Sequence, residues 1–439
     1  MSEVGLDPAR ARLLVEARLG RRPQDMLEAA VVLEAWVGVP AQRALAAAKA
    51  LMPETAADPQ PSVGRLPPPS SQKGVLLEGA AFVISVIAIA LWAAPLVSSL
   101  GATVVRHGLM VTLPLTIALQ WGLRRRWLDH PHGLAQLADR ALLLLAGALA
   151  TVGLPTLVLG PSGMVAGLLT VTLTGGTILI RRRWALVYVA IILLATPPLM
   201  MGLSPLPVLA AAAAATALAV ALALRTSAMP APSSTGQWER AVAAGVIGIG
   251  LGLMLVLDRT VSWTEGTVPA LALLPATFAS FWGGYHLRHL ERAMPRAGSG
   301  IPVIGERTRG LARPPLGVLF GALGRLLVLA GVLSVGLMAL TPWLGSSARD
   351  AGVLLGFALL ALATMLVSLL ESMGGGAWAL FAVTCAAAAE VAVRVDGTDP
   401  FSGTGLVVGG LVAVVLVLPP VIVLLSRPAS TLATALWIP

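Results

Sequence analysis

Residues 161–195 read PSGMVAGLLTVTLTGGTILIRRRWALVYVAIILLA. Twenty residues without an ionisable side chain run into Arg181, Arg182 and Arg183, and a second apolar run opens at Trp184. A helix needs about 20 apolar residues to cross a hydrocarbon core of about 30 Å. The stretch therefore reads as one membrane span, a basic loop and the start of the next span, with a tryptophan where an interfacial ring belongs. Thr170, Thr174 and Thr177 stand at i, i+4 and i+7, which places them on one face of the helix.

The same reading extends in both directions. Spans are predicted near 75–99, 108–123, 140–160, 163–181, 184–203, 206–225, 240–257, 267–285, 315–343, 351–371, 376–394 and 404–425. The 439 residues are 57% hydrophobic and 12% charged, whereas a soluble domain is about 25% charged, and the mean hydropathy is +0.86. The expected fold is an all-α polytopic membrane protein of about 12 transmembrane helices, which excludes a soluble enzyme and a porin-type barrel.

The formal charge of +9 comes from 28 arginines and two lysines against 21 acids. In a soluble protein such a balance would suggest nucleic acid; between membrane spans it marks cytoplasmic loops. Arg124–Arg126, Arg181–Arg183, Arg225, Arg240, the arginines from 288 to 313 and Arg427 all fall on the N-terminal side, while Arg106, Arg259, Arg349 and Arg394 fall opposite. Both termini are thus expected in the cytoplasm and the protein in a bacterial inner membrane. No apolar stretch precedes residue 75, so no cleavable signal peptide is expected.

Residues 1–52 read as a cytoplasmic mini-domain of three short helices, with Pro8, Pro23 and Pro40 at their starts. Residues 53–73 hold six prolines among serines and polar residues, a linker composition. Lobe 1 would then span 74–225, a cytoplasmic connector 226–239, lobe 2 240–427 and a tail 428–439.

Two matches suggest that the lobes are repeats. Arg140 followed by Leu145-Ala146-Gly147 matches Arg325 followed by Leu329-Ala330-Gly331, 184–185 residues on. Trp184-Ala185-Leu186 matches Trp378-Ala379-Leu380, 194 residues on, which sets Thr170, Thr174 and Thr177 against Thr364, Ser368 and Glu371. With six spans in each half the repeat is parallel, an arrangement that places a substrate path between the halves.

Ionisable groups inside a bilayer are costly and are functional candidates by default. Arg325 lies about a third of the way into its span, and Arg140 is its counterpart. Either guanidinium could grip an anionic substrate or a lipid phosphate in a bidentate fork, or snorkel, or pair structurally with Glu371. Glu78 and Glu371 lie toward the cytoplasmic ends of spans one and ten, where they could meet Arg325. The stripe Thr170, Thr174, Thr177, with Thr364 and Ser368 in the other half, offers hydroxyls to a hydrated substrate or simply packs helices. Glu390, Arg394, Asp258 and Arg259 read as interfacial charges. His286 and His289 stand at i, i+3 near Glu291, but their basic loop is a poor metal site; no metal or cofactor is expected.

No GxxxxGK[ST] occurs and no lysine follows Lys73, so the chain has no Walker A motif of its own. The first outer loop, 98–108, has no acid, which counts against a membrane glycosyltransferase. Gly122-Leu-Arg-Arg-Arg-Trp-Leu-Asp129 does not fit the major facilitator loop motif.

Twelve spans in two six-span lobes with few membrane charges resemble the multidrug/oligosaccharidyl-lipid/polysaccharide (MOP) flippase superfamily, in particular its exopolysaccharide exporters. The stretches that carry the resemblance are Phe281-Trp-Gly-Gly-Tyr-His-Leu-Arg-His-Leu-Glu291, the basic loop after it, Leu327–Trp343, Gly374-Gly-Gly-Ala-Trp378 and Gly403-Thr-Gly405. The resemblance implies a non-enzymatic exporter that moves a polar or lipid-linked glycan outward by alternating access. The N-terminal mini-domain and the Ala-rich span six depart from that pattern. They leave a rival open: a transporter-like anchor that recruits a cytoplasmic assembly. On either reading the bilayer is the main partner, nucleic acid is not one, and residues 1–52 with the 286–314 loop are the expected docking segments for a cytoplasmic protein.

Overall fold

The computed structural model describes residues 8–19, 23, 26–37, 41–51, 72–128, 137, 140–225, 238–257, 274, 275, 277, 313–344, 351–372, 374–396 and 403–426. Among them there are helices and no strand. Three short helices come first: α1 (Pro8–Leu19), α2 (Met26–Val37) and α3 (Ala41–Leu51). The first half of the membrane region follows as α4 (Gln72–Leu100), α5 (Ala102–Leu123), α6 (Ala141–Leu159), α7 (Pro161–Arg181), α8 (Ala185–Met200) and α9 (Pro205–Arg225). The second half contributes α10 (Trp238–Leu257), α11 (Arg313–Leu344), α12 (Ala351–Ser372), α13 (Gly376–Asp396) and α14 (Thr404–Ser426).

Nine of these helices are long and apolar enough to cross a membrane, and the apolar stretches of α8 and α10 are somewhat shorter. Eleven of the twelve expected spans are therefore helical. The eighth, 267–285, lies almost wholly outside the described residues, as do the linker, the connector up to residue 237, both loop histidines, the basic loop through 312 and the tail.

Boundaries differ from expectation where glycine allows it. Span two was expected to begin at 108 after an outer loop, but α4 runs to Leu100 and α5 starts at Ala102, leaving Gly101 alone to turn the chain. Its φ of 89° is open to glycine at little cost. Gly160, at φ 58°, does the same between α6 and α7, and Pro161 follows at the first helical position, where its missing N–H is no loss.

In the first half α7 is the central helix. α5, α6, α8 and α9 all pack on it, and most of it is buried, whereas α6 is largely exposed. α6 comes close because Gly163 and Gly167 present bare backbone to Pro155, Thr151 and Val152. In the second half most of α12 is likewise buried. Gly356 and Gly410 give it the space to meet α14, against Leu406 and Leu359.

The repeat is one turn out of register in the central helices. α6 and α11 end at Leu159 and Leu344, in line with the sequence match. α7 and α12, however, end in matching turns at Arg183 and Gly374, 191 residues apart rather than 194. Trp378 therefore stands inside α13, whereas Trp184 caps α8.

The three short helices have a core of their own, in which Val15, Leu33 and Ala48 are buried. The Arg12 guanidinium donates to the Leu51 carbonyl at 2.8 Å, closing the C-terminus of α3 where carbonyls would otherwise lack partners.

Candidate functional site

The two halves of the membrane region meet along α5 and α10. Gly245, Gly248 and Gly252 form the contact edge of α10. A Cβ at Gly248 would stand 2.8 Å from the Ile117 carbonyl, and one at Gly252 would run into the backbone of Pro114. Pro114, inside α5, removes one helical N–H there. The seam is thus a backbone-to-backbone contact of antiparallel helices, without side chains to act as spacers.

At its arginine-bearing end the seam is closed by polar and aromatic contacts. α5 runs into a wider turn with i→i+5 bonding, Arg124–Leu128, a geometry common at functional positions. Arg125 Nε lies 3.1 Å from Glu371 Oε1 at the end of α12, with the two side chains 20% and 14% exposed. Arg126, which is buried, lies over two indole rings, 5.6 Å from the centre of Trp127 and 5.2 Å from that of Trp238 at the start of α10. The two indoles meet edge-on at 5.5 Å. Both contacts join the first half to the second.

Inside the first half a polar strip lies between α5 and α7. Thr116 Oγ1 reaches Thr170 Oγ1 at 3.4 Å, and Gln120 Nε2 donates to the Leu173 carbonyl at 3.4 Å. Thr170 is fully buried; Thr174 is 8% exposed, and its hydroxyl has no hydrogen-bond partner among the described residues. An unmet buried hydroxyl costs about 1–3 kcal/mol. Thr177 bonds back to the Leu173 carbonyl, and Thr364 in α12 to the Leu360 carbonyl. Ser368 is half-buried.

The structure separates several residues grouped by sequence. Arg140 and Arg325 both lie on exposed stretches, and the exposed flank of α11 beyond Arg325 carries Val328, Val332 and Val335. Glu371, grouped with Arg325 by sequence, has Arg125 beside it. Glu78 is half-buried on α4 and makes no ion pair among the described residues. Arg125 was read as loop charge; Trp127 and Trp238, from distant parts of the chain, bracket the same inter-half junction. Glu390, read as interfacial, is 1% exposed. No group of three or more metal-ligating side chains occurs among the described residues.

No protein-family model matches the chain, and no curated protein matches it. Among solved structures it is similar to one described as the outward-facing conformation of a multidrug resistance MATE family transporter of the MOP superfamily. The identity is 14% and the TM-score 0.47, over 80% of this chain and 96% of that one.

Proposed function

We propose that the protein is an exporter of the bacterial inner membrane that moves a polar glycan, free or lipid-linked, outward by alternating access between its two halves. The observation that carries this reading is the junction. A spacer-free seam runs between α5 and α10 and ends in contacts that can be broken and remade: one ion pair, Arg125–Glu371, and one arginine between two indoles. A partly exposed ion pair contributes about 1 kcal/mol or less and a cation–π contact about 0.5–2 kcal/mol. A closure of that size fits a two-state protein whose minor state is separated by a few kcal/mol. The arginine-bearing end is the cytoplasmic end, so this conformation is the one closed to the cytoplasm. The half-buried hydroxyls of Thr177, Thr364 and Ser368, in the central helix of each half, suit a sugar rather than an apolar drug. Residues 1–52 and the 286–314 loop dock the cytoplasmic machinery that makes the glycan.

The test is charge exchange at the closure. Arg125→Glu or Glu371→Arg alone should lower glycan at the cell surface severalfold at equal protein levels, and the double exchange should recover most of it. Full export in both single variants would refute the gate.

A second reading, a membrane anchor that recruits a cytoplasmic assembly, is favoured by one observation: Arg140 and Arg325 are exposed, while Thr170 and Thr174 are enclosed by helix packing. Deleting residues 1–73 separates the two. An exporter keeps some glycan movement, whereas an anchor loses recruitment.

A further inference from the structure

The start of α6 gathers hydrogen-bond donors at the arginine-bearing face of the first half. Arg140 stands at the capping position before Ala141, and no side chain caps the helix there. The first N–H groups of a helix have no acceptor within it, and together with the helix dipole they suit an anion. Arg140 is exposed, so a guanidinium stands at the same helix end and is open to the surroundings.

Two further donors lie near it. Arg126, on the wide turn after α5, is desolvated by burial, and its charge is repelled by that of Arg140. Trp127, over whose ring Arg126 lies, is 5% exposed, and its Nε1 is buried with no hydrogen-bond acceptor among the described residues. Two like charges and an indole N–H, beside an uncapped helix start, match one kind of ligand: an anion with several acceptor oxygens. Phosphate is such an anion, and a guanidinium fork holds it through two parallel bonds.

The rest of α6 says which phosphate. None of its apolar stretch is buried, and Leu142, Leu145 and Leu149 are exposed at i, i+3 and i+7, along one flank. In a membrane that flank faces lipid chains. A molecule with a phosphate at Arg140 and hydrocarbon along these leucines is a phospholipid, and basic pockets between membrane helices bind anionic headgroups.

We infer that the start of α6 binds one anionic phospholipid, with its phosphate on Arg140 and the first-turn N–H groups of α6 and its chains along the leucine flank. The phosphate offsets the repulsion between Arg140 and Arg126. Occupancy therefore favours the arrangement in which Arg126 lies over Trp127 and Trp238 at the junction of the halves. Binding itself does not depend on the exporter reading; its influence on alternation does.

The experiment adds phosphatidylglycerol to the full chain in detergent, with phosphatidylcholine and inorganic phosphate as separate arms. Phosphatidylglycerol should raise the midpoint of thermal unfolding saturably, and native mass spectra should show a single retained lipid. Arg140→Gln should weaken both signals severalfold. Arg225→Gln, which removes an exposed arginine from the end of α9, should leave both unchanged. Equal losses in the two variants would overturn the site, because attraction to a diffuse basic surface would then suffice. Equal stabilisation by inorganic phosphate would overturn the lipid as the source of the anion, and equal stabilisation by phosphatidylcholine would overturn the need for net negative charge. If Arg140→Gln does not fold, Arg140→Lys decides, since it keeps the charge and loses the fork: weaker binding supports the site, and binding as tight as in the parent overturns it.

Discussion

Arg183 shows how a charged residue can be retained at a conformational cost. It is the residue among those described, other than glycine, with a positive φ, 64°. It closes α7 in a Schellman turn: its own N–H donates to the Ile180 carbonyl, and that of Trp184 to Leu179 at 2.8 Å. Glycine is the usual residue there, so Arg183→Gly should raise the stability of the first half by up to about 1 kcal/mol, read as a higher midpoint of thermal unfolding in detergent. Its neighbour behaves differently. Arg182 donates from both Nε and Nη2 to the Ala223 carbonyl at 3.1 and 2.7 Å, and partial burial lowers its pKa below the usual arginine value. Arg182→Ala should cost about 1–3 kcal/mol by the same measurement, because a charge-assisted bond to the end of α9 is lost. Two adjacent arginines that look equivalent in sequence thus have distinct roles.

At the scale of elements, the seam of α5 and α10 gives the sharpest expectation. Gly252→Ala places a methyl group against the Pro114 backbone and should cost about 1–3 kcal/mol, whereas Leu253→Ala, on an exposed part of the same helix, should change thermal stability little. A Gly252→Ala protein as stable as the parent would show that the seam is loose. The spans themselves were legible because twenty apolar residues bounded by arginines admit few other readings. Gly101 and Gly160 were less so: an apolar run does not reveal that one residue can turn the chain. The seam was not legible, since Gly245, Gly248 and Gly252 look like ordinary small residues until Pro114, more than 130 residues earlier, is brought against them. The threonine stripe was read correctly as one face of α7. Its partner Thr116, which comes from another helix, was not. The repeat slipped by one turn because Trp184 and Trp378 are similar letters in unlike positions, one capping a helix and one within it.

Over the whole molecule, the bundle of α1, α2 and α3 has its own core and should be removable by mutation without loss of the membrane helices. Leu33→Ala removes a fully buried side chain at a cost of about 2–5 kcal/mol, a large share of what about 45 residues can supply. The full-length variant should lose protease protection of residues 8–51 while keeping its helical circular dichroism in detergent. Equal protection in variant and parent would place the bundle's stability elsewhere. The single-residue turns at Gly101 and Gly160 have a consequence for biogenesis. α4 with α5, and α6 with α7, have no slack between them for one helix to wait in the bilayer while the next is synthesised. Each pair would leave the insertion machinery as a hairpin, so lengthening either turn would be felt during synthesis before it was felt in the finished protein.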